Sequence, residues 1–251
     1  MAYRNDSGLS FLQEIKSKNL EDLVYCLTHN KNGNLRLTEE LTISDGYKAH
    51  YPDHNKYWKS IAAEIQCFGA NSFATMLRFG EGVLYKEVLS DVCDKVKVNY
   101  NKDSSVERIE NNLLMKILTD AVENMTHEEL KELAESTGVK STTGITRETM
   151  VGVFQAVFRA GGFKSYQLTV IIANAVMTTL IGRGLPFAAN GALTSTMAVL
   201  TGPIGWVMTG LWTAVDIAGP AYRVTIPAVI QVSVLRKKFL YEKQDGEVSF
   251  S

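Results

Sequence analysis

From Gly184 to Val215 the chain runs without a single charged residue. Such a stretch has two homes: a lipid bilayer, or the inside of a helical protein that wraps it. Uncharged runs flank it on both sides, from Ser165 to Gly182 and from Val224 to Leu235. Four of the five prolines fall in this region, at Pro186, Pro203, Pro220 and Pro227. The first three are evenly spaced, and each closely follows a glycine (GLP, TGP, AGP). Glycine closes helices and proline opens them, so the spacing predicts consecutive helices of about fifteen residues joined by tight turns. The expected hairpin turns lie at Pro186, at Pro203, and around Pro220 between Asp216 and Arg223.

The content of this region is unusual for an anchor. A spanning helix needs about 20 apolar residues, and the segments between prolines fall short of that. Half of the residues between Gly184 and Gly219 are Gly, Ala, Ser or Thr. The most anchor-like segment, SYQLTVIIANAVMTTLIG, carries Gln167 and Asn174. Gly202, Trp206, Gly210, Ala214 and Ala218 recur every four residues. Such a small-residue stripe lets another helix backbone approach closely, in a membrane or in a soluble core. Trp206 and Trp212 suit a lipid interface and a core equally. A charge in mid-membrane costs a few kcal/mol, so Asp216 and Arg223 mark helix ends.

The chain before this region, up to Ala160, is also helical in pattern, and strand alternation is almost absent. LSFLQEI and LEDLVYCL read as short amphipathic helices. A turn at Asn32-Gly33 follows, then a helix start at Thr38-Glu39-Glu40. YWKSIAAEIQCF, ANSFATMLRFG and GVLYKEVLSDVCDKVKV read as helices broken at glycines. VERIENNLLMKILTDAVENM is clearly amphipathic, with Ile109, Leu113, Ile117 and Val122 near helical spacing. Thr126 and Glu129 form a capping box, Gly138 ends the helix that follows, and Thr146 caps the next one. The fold class expected is all-α: a multi-helix bundle in three parts. These are a small N-terminal helical module (1–45), an amphipathic helical domain (50–160) and an apolar helical hairpin region (161–240). The tail RKKFLYEKQDGEVSF is polar and expected to fray.

The net charge of −1 hides a split. Residues 1–150 hold 18 Lys+Arg against 23 Asp+Glu, and residues 151–251 hold 8 against 4. The basic excess is too small and scattered for a nucleic-acid surface. Cys26, Cys67 and Cys93 are far apart and sit in apolar helical patterns, which predicts buried thiols in a reducing compartment. The N-terminus MAYRNDSGLSF lacks an apolar signal segment, so the expected location is the cytoplasm, with peripheral attachment to or insertion in the inner membrane as the open question.

Motifs for chemistry are weak. THNKNGNLRLTE aligns with a calcium loop, with Thr28, Asn30, Asn32 and Glu39 at ligand positions one, three, five and twelve and Gly33 at the sixth, the turn position. Positions one and three are not carboxylates, and a calcium loop needs several anionic oxygens. HYPDH offers His50 and His54, but Pro52 breaks a shared helical face and no third ligand is near, so a solvated loop is expected. His29 and His127 read as surface residues beside helix ends. No nucleophile elbow, P-loop or dinucleotide fingerprint is present. No catalytic residue, metal ligand or cofactor is assigned, and the chain reads as non-enzymatic.

Four blocks carry a resemblance: MAYRNDSGLSFL with LVYCLTHNKNGNLRLTEEL, FGANSFATMLRFGEGVLYKEVLSDVCDKVKVNYNK, GGFKSYQLTVIIANAV, and LTGPIGWVMTGLWTAVDIAGPAYRVTIPAVI. Over essentially its whole length the chain resembles the YaaW-like family of bacterial proteins. The first of these blocks is similar to a short N-terminal domain of unknown function. The remainder resembles the ubiquinol–cytochrome c chaperone superfamily, whose members assist assembly of a membrane respiratory complex. The resemblance implies an all-helical fold and a chaperone-like role, with no catalytic motif to carry over.

The functional expectations are therefore three. In the first, the apolar C-terminal hairpin associates with or inserts into membrane lipid, with pore formation as its extreme form and Arg183, Arg223 and Arg236-Lys237-Lys238 near headgroups. Alternatively the protein is an assembly chaperone or adaptor that binds a hydrophobic protein client. The third is a soluble helical interaction protein. A homo-oligomer fits any of them.

Overall fold

The computed structural model describes residues 2–70, 82–137, 139, 144–186, 194–216 and 222–248; side chains are not described at 69, 70, 194, 211–216 and 245–248. The described residues are all-α, with a single isolated bridge between His29 and Leu35. The helices are α1 (Ser17–Thr28), α2 (Asp45–His50), α3 (Trp58–Ala70), α4 (Tyr85–Lys95), α5 (Val106–Glu123), α6 (His127–Ser136), α7 (Arg147–Ala160), α8 (Gly162–Ile181), α9 (Thr194–Asp216) and α10 (Tyr222–Val248). Short 3-10 turns at Ser10–Glu14 and His54–Tyr57 precede α1 and α3.

Local chemistry sets the helix starts. Ser105, Thr126 and Thr146 each accept the backbone N–H three residues on, which satisfies a donor that has no partner within the helix. Glu129 returns to the Thr126 N–H at 2.7 Å and completes the capping box. Segments without such signals depart from the sequence reading. No helix starts at Thr38; the Thr42 N–H and hydroxyl bond Glu39 instead, and α2 begins only after Ser44. LSFLQEI forms a 3-10 turn rather than an α-helix. The segment 71–81, which reads as a helix, and Gly138 lie outside the described residues.

The apolar C-terminal region is the middle of the fold. α8 packs against both α9 and α10, and it also touches α5 and α7. Val170, Ile172, Ala173, Ala175 and Val176 on α8 are wholly buried. A helix that is apolar all round belongs inside, and this one is enclosed by other helices of the chain. The polar residue in its centre has a local task. Asn174 Oδ1 accepts the Leu185 N–H at 2.9 Å, which pins the chain after α8, and its amide lies 3.6 Å from Met197 Sδ on α9.

α8 ends at Gly182, in the left-handed region at φ 78°. A Cβ there would lie 2.6 Å from the Lys31 carbonyl oxygen, so only glycine fits. Pro186 lies four residues beyond this helix end, and residues 187–193, on the far side of the expected turn, lie outside the described residues. The turn expected at Pro203 does not exist: α9 continues through that proline. Buried neighbours Leu200 and Ile204 hold the helix on α8 and outweigh the lost N–H. Asp216 ends α9, and Arg223 is the second residue of α10; Pro220 and Ala218 lie outside the described residues. Pro227 also sits inside a helix, near the start of α10.

One contiguous core joins Leu9 and Leu12 in the N-terminal segment to Leu235 at the far end of the chain. A polar seam runs through it. Glu110 of α5 is wholly buried and accepts from the Tyr85 hydroxyl at 2.7 Å and from Arg236 Nε at 2.9 Å. Arg236 also donates to the Gly8 carbonyl at 2.6 Å and lies over the Phe11 ring. Asp6 accepts from the backbone N–H of Gly8 and of Tyr85 and from Gln66 Nε2. The N-terminal segment is thereby fastened to α3, α4, α5 and α10.

Candidate functional site

The sequence places its candidate stripe on α9, and the structure turns the described members of that stripe outward. Leu200, Ile204 and Met208 point inward and are buried. Ala198, Gly202, Trp206 and Gly210 point outward and are exposed. Both sets recur at four residues, so periodicity alone does not say which is the seam. The spacing predicts that Gly202 and Gly210 admit a neighbouring helix. A Cβ built on either meets nothing within 4 Å, so neither is a packing position among the described residues of this chain. The close approach falls at Gly205, where a Cβ would lie 3.3 Å from Thr179 Oγ1 of α8.

Trp206 stands at the centre of the outer face and is 76% exposed. The glycines one turn before and after it leave its ring flanks open. Thr209 donates its hydroxyl to the Gly205 carbonyl at 2.8 Å, so a polar residue on this face is turned back into its own helix. The side chains of Trp212, Ala214 and Asp216 are outside the described set.

A second feature was not legible in the sequence. A cavity of about 500 Å³ opens between α1, α8 and α10, with Pro186 at its edge. Val170, Val234 and Leu235 form its apolar side, and Phe163 and Tyr166 form an aromatic side. Tyr241 stacks on Tyr166 and tilts against Phe163 at 5.2 Å, which fixes the rings. Its α1 wall carries Asp22, 3.9 Å from Arg183. Burial lifts the Asp22 carboxyl to about 6, against the pull of Arg183 and with the push of Glu21.

Four of the five basic residues expected at headgroups are paired with carboxylates of the chain. Arg236 is held by Glu110, buried Lys237 bonds Glu107 at 2.9 Å, and Lys238 pairs with Glu242 at 2.7 Å. Arg183 pairs with Glu21 at 3.2 Å and lies 4.4 Å over the Tyr25 ring. The tail expected to fray continues α10 to Val248. Arg223 is exposed.

The histidine reading also changes. His54 is buried against the Tyr57 hydroxyl rather than solvated in a loop, because the HYPDH segment folds back onto α1. Burial lowers its pKa. No group of three metal-ligating side chains occurs among the described residues. The calcium-like loop is a tight turn, with the Asn30 side chain accepting the N–H groups of Asn32 and Asn34. Cys26 and Cys93 are buried and Cys67 is half-buried, all three free. Among the described residues, no helix is long and apolar enough to cross a membrane.

Comparison with known proteins identifies the family. The Ubiquinol-cytochrome C chaperone family matches residues 53–230, and a domain of unknown function (DUF3944) matches residues 3–37. A UPF0174 protein of Helicobacter pylori (strain J99) is 51% identical over 98% of this chain and 96% of its own. A second UPF0174 protein, from H. pylori strain 26695, is 43% identical over 80% of this chain and 98% of its own. UPF0174 protein YaaW of Escherichia coli (strain K12) is 33% identical over 94% of this chain and 95% of its own. No solved structure matches. By matched length and identity, the chain belongs to the UPF0174 (YaaW) proteins within the Ubiquinol-cytochrome C chaperone family.

Proposed function

We propose that this protein is a non-enzymatic, chaperone-like binder that holds an apolar helix of a client protein on the outer face of α9. The observation that carries the reading is Trp206, 76% exposed between two glycines whose outward space is empty. A client helix laid along that face would reach the α9 backbone at Gly202 and Gly210 and cover the indole. Aromatic anchors beside flat, small-residue ground are what a helix-binding surface needs. The family's printed description supports a chaperone role, and a subunit of a membrane respiratory complex is the client class it favours.

The test is site-specific photocrosslinking in a bacterial host. A benzophenone residue at position 206 should capture a hydrophobic membrane-complex subunit, and one at position 131, on the exposed side of α6, should not. Trp206→Lys should abolish the captured product while the protein stays folded. Capture of lipid alone, or equal products from both positions, overturns the reading.

A further inference from the structure

Another cavity, of about 620 Å³, opens between α1, α2 and the 3-10 turn at His54–Tyr57. Its volume lies in the range that holds a small ligand. Four polar aromatic side chains stand in its walls: Tyr25 and His29 at the end of α1, and Tyr47 and Tyr51 on α2 and its C-cap. The floor is sealed. Val24, Thr28 and His54 are buried, and His54 is engaged by the Tyr57 hydroxyl. The walls are open to solvent: Tyr51 is 59% exposed, and Tyr25, His29 and Tyr47 are half-buried. The wall rings are held in pairs. His29 stacks on Tyr25 at 4.3 Å, and Tyr51 stacks on Tyr47 at 4.8 Å. Rings that are fixed before a ligand arrives lose little freedom when it binds.

The hydrogen bonds at His29 assign its tautomer. Thr28 donates its one hydroxyl proton to the Val24 carbonyl at 2.8 Å, one turn back in α1. The 2.8 Å bond between Thr28 Oγ1 and His29 Nδ1 must then be donated by the imidazole. Burial lowers the His29 pKa, opposed by the Tyr25 carbonyl and aided by Arg183, so the ring is neutral at pH 7. A neutral ring with its proton on Nδ1 carries a bare lone pair on Nε2. Among the described residues nothing donates to that atom. Charge does not select the occupant. Arg183 is paired with Glu21 and lies 3.9 Å from Asp22, which leaves Lys18 as the further charge of the lining.

We infer that this cavity binds an aminated nucleobase or a like planar heterocycle, its ring stacked on the Tyr47–Tyr51 pair and an edge N–H donated to His29 Nε2. Tyrosine hydroxyls donate or accept as the remaining edge atoms require. Stacking on an aromatic side chain tolerates any base, whereas Nε2 demands a donor, so the imidazole sets the preference among bases. The site is separate from the outer face of α9 and does not depend on it.

The test is NMR of the full chain, in which the nitrogen shift of His29 Nε2 reports both its tautomer and its hydrogen bonding. The probe is adenosine. Saturable binding is expected, with the Nε2 resonance moving from that of a bare acceptor towards that of a bonded one. Purine riboside has the same ring without the amino group and should bind about tenfold more weakly. Tyr51→Ala, at an exposed position, should weaken adenosine binding about tenfold through lost stacking. His29→Phe keeps an aromatic ring without the acceptor and should bind adenosine and purine riboside alike. If that variant misfolds, the two ligands and Tyr51→Ala still decide. Trp206→Lys should bind as the wild type does, which separates this site from α9. Absence of saturation at millimolar adenosine, equal affinity of the wild type for adenosine and purine riboside, or unchanged adenosine affinity in Tyr51→Ala overturns the inference.

Discussion

The polar seam around Glu110 and the outer face of α9 invert the usual distribution of residue types. At the seam, a carboxylate is wholly buried and a guanidinium nearly so, and both are satisfied by Tyr85, Gly8 and each other. On α9, an indole is exposed and nothing in the described chain covers it. Buried charge tolerates no vacancy, because an unpaired ion in a low-dielectric interior is severely penalised. An exposed apolar face carries no such penalty in the monomer and gains only when a partner removes water from it. The first region therefore holds the fold together, and the second is left open to solvent.

The comparison breaks most visibly at the seam. Arg236→Met leaves Glu110 buried without its cation and should cost about 3–5 kcal/mol of stability. Urea denaturation measures it, and a loss below about 1 kcal/mol would show that Glu110 is not held as an ion.

Glu64 is a second buried acid, on α3 beside the 30–44 connection. It accepts the Glu40 N–H at 3.2 Å. Burial, opposed by that bond and reinforced by Glu39 and Glu40, lifts its carboxyl to about 8. The folded protein then keeps a proton that the unfolded chain releases at about pH 4. Stability accordingly falls as pH rises from about 4 to about 8 and levels off above, by a few kcal/mol in all. Glu64→Gln should flatten this fall in melting temperature against pH, and a slope equal to that of the wild type would remove Glu64 from the account.

The smallest effects sharpen the picture of α9. Gly205→Leu pushes into Thr179 and should cost about 1–3 kcal/mol. Gly210→Leu meets open space and should stabilise the monomer by up to about 1 kcal/mol, through helix propensity alone. Comparable destabilisation by both would mean that the outer face is packed after all.

Much of the fold was legible. The amphipathic α5, the capping box of α6 and the cap of α7 are strong local signals, and each lies where the sequence reading puts it. Pro203 does not follow the rule because a proline opens a new helix only when packing does not carry the old one through. The orientation of α9 was hidden by its composition. Leu200, Ile204 and Met208 share the four-residue spacing of Gly202, Trp206 and Gly210, and both faces are uncharged. The cavity between α1, α8 and α10 had no signal, since Asn19, Gln167 and Gln231 are far apart in the chain and each alone looks ordinary.

The sequence by itself determined that the chain is helical, where most helices start, and that an apolar stretch must be shielded from water. Those properties come from backbone propensity, capping and hydrophobic content, which act over a few residues. Only the tertiary structure decided which apolar residues shield and which are shielded. That choice depends on α8 being taken between α9 and α10, and on Arg236 reaching Glu110 across 126 residues of chain. Contacts at such separation leave no period in the sequence.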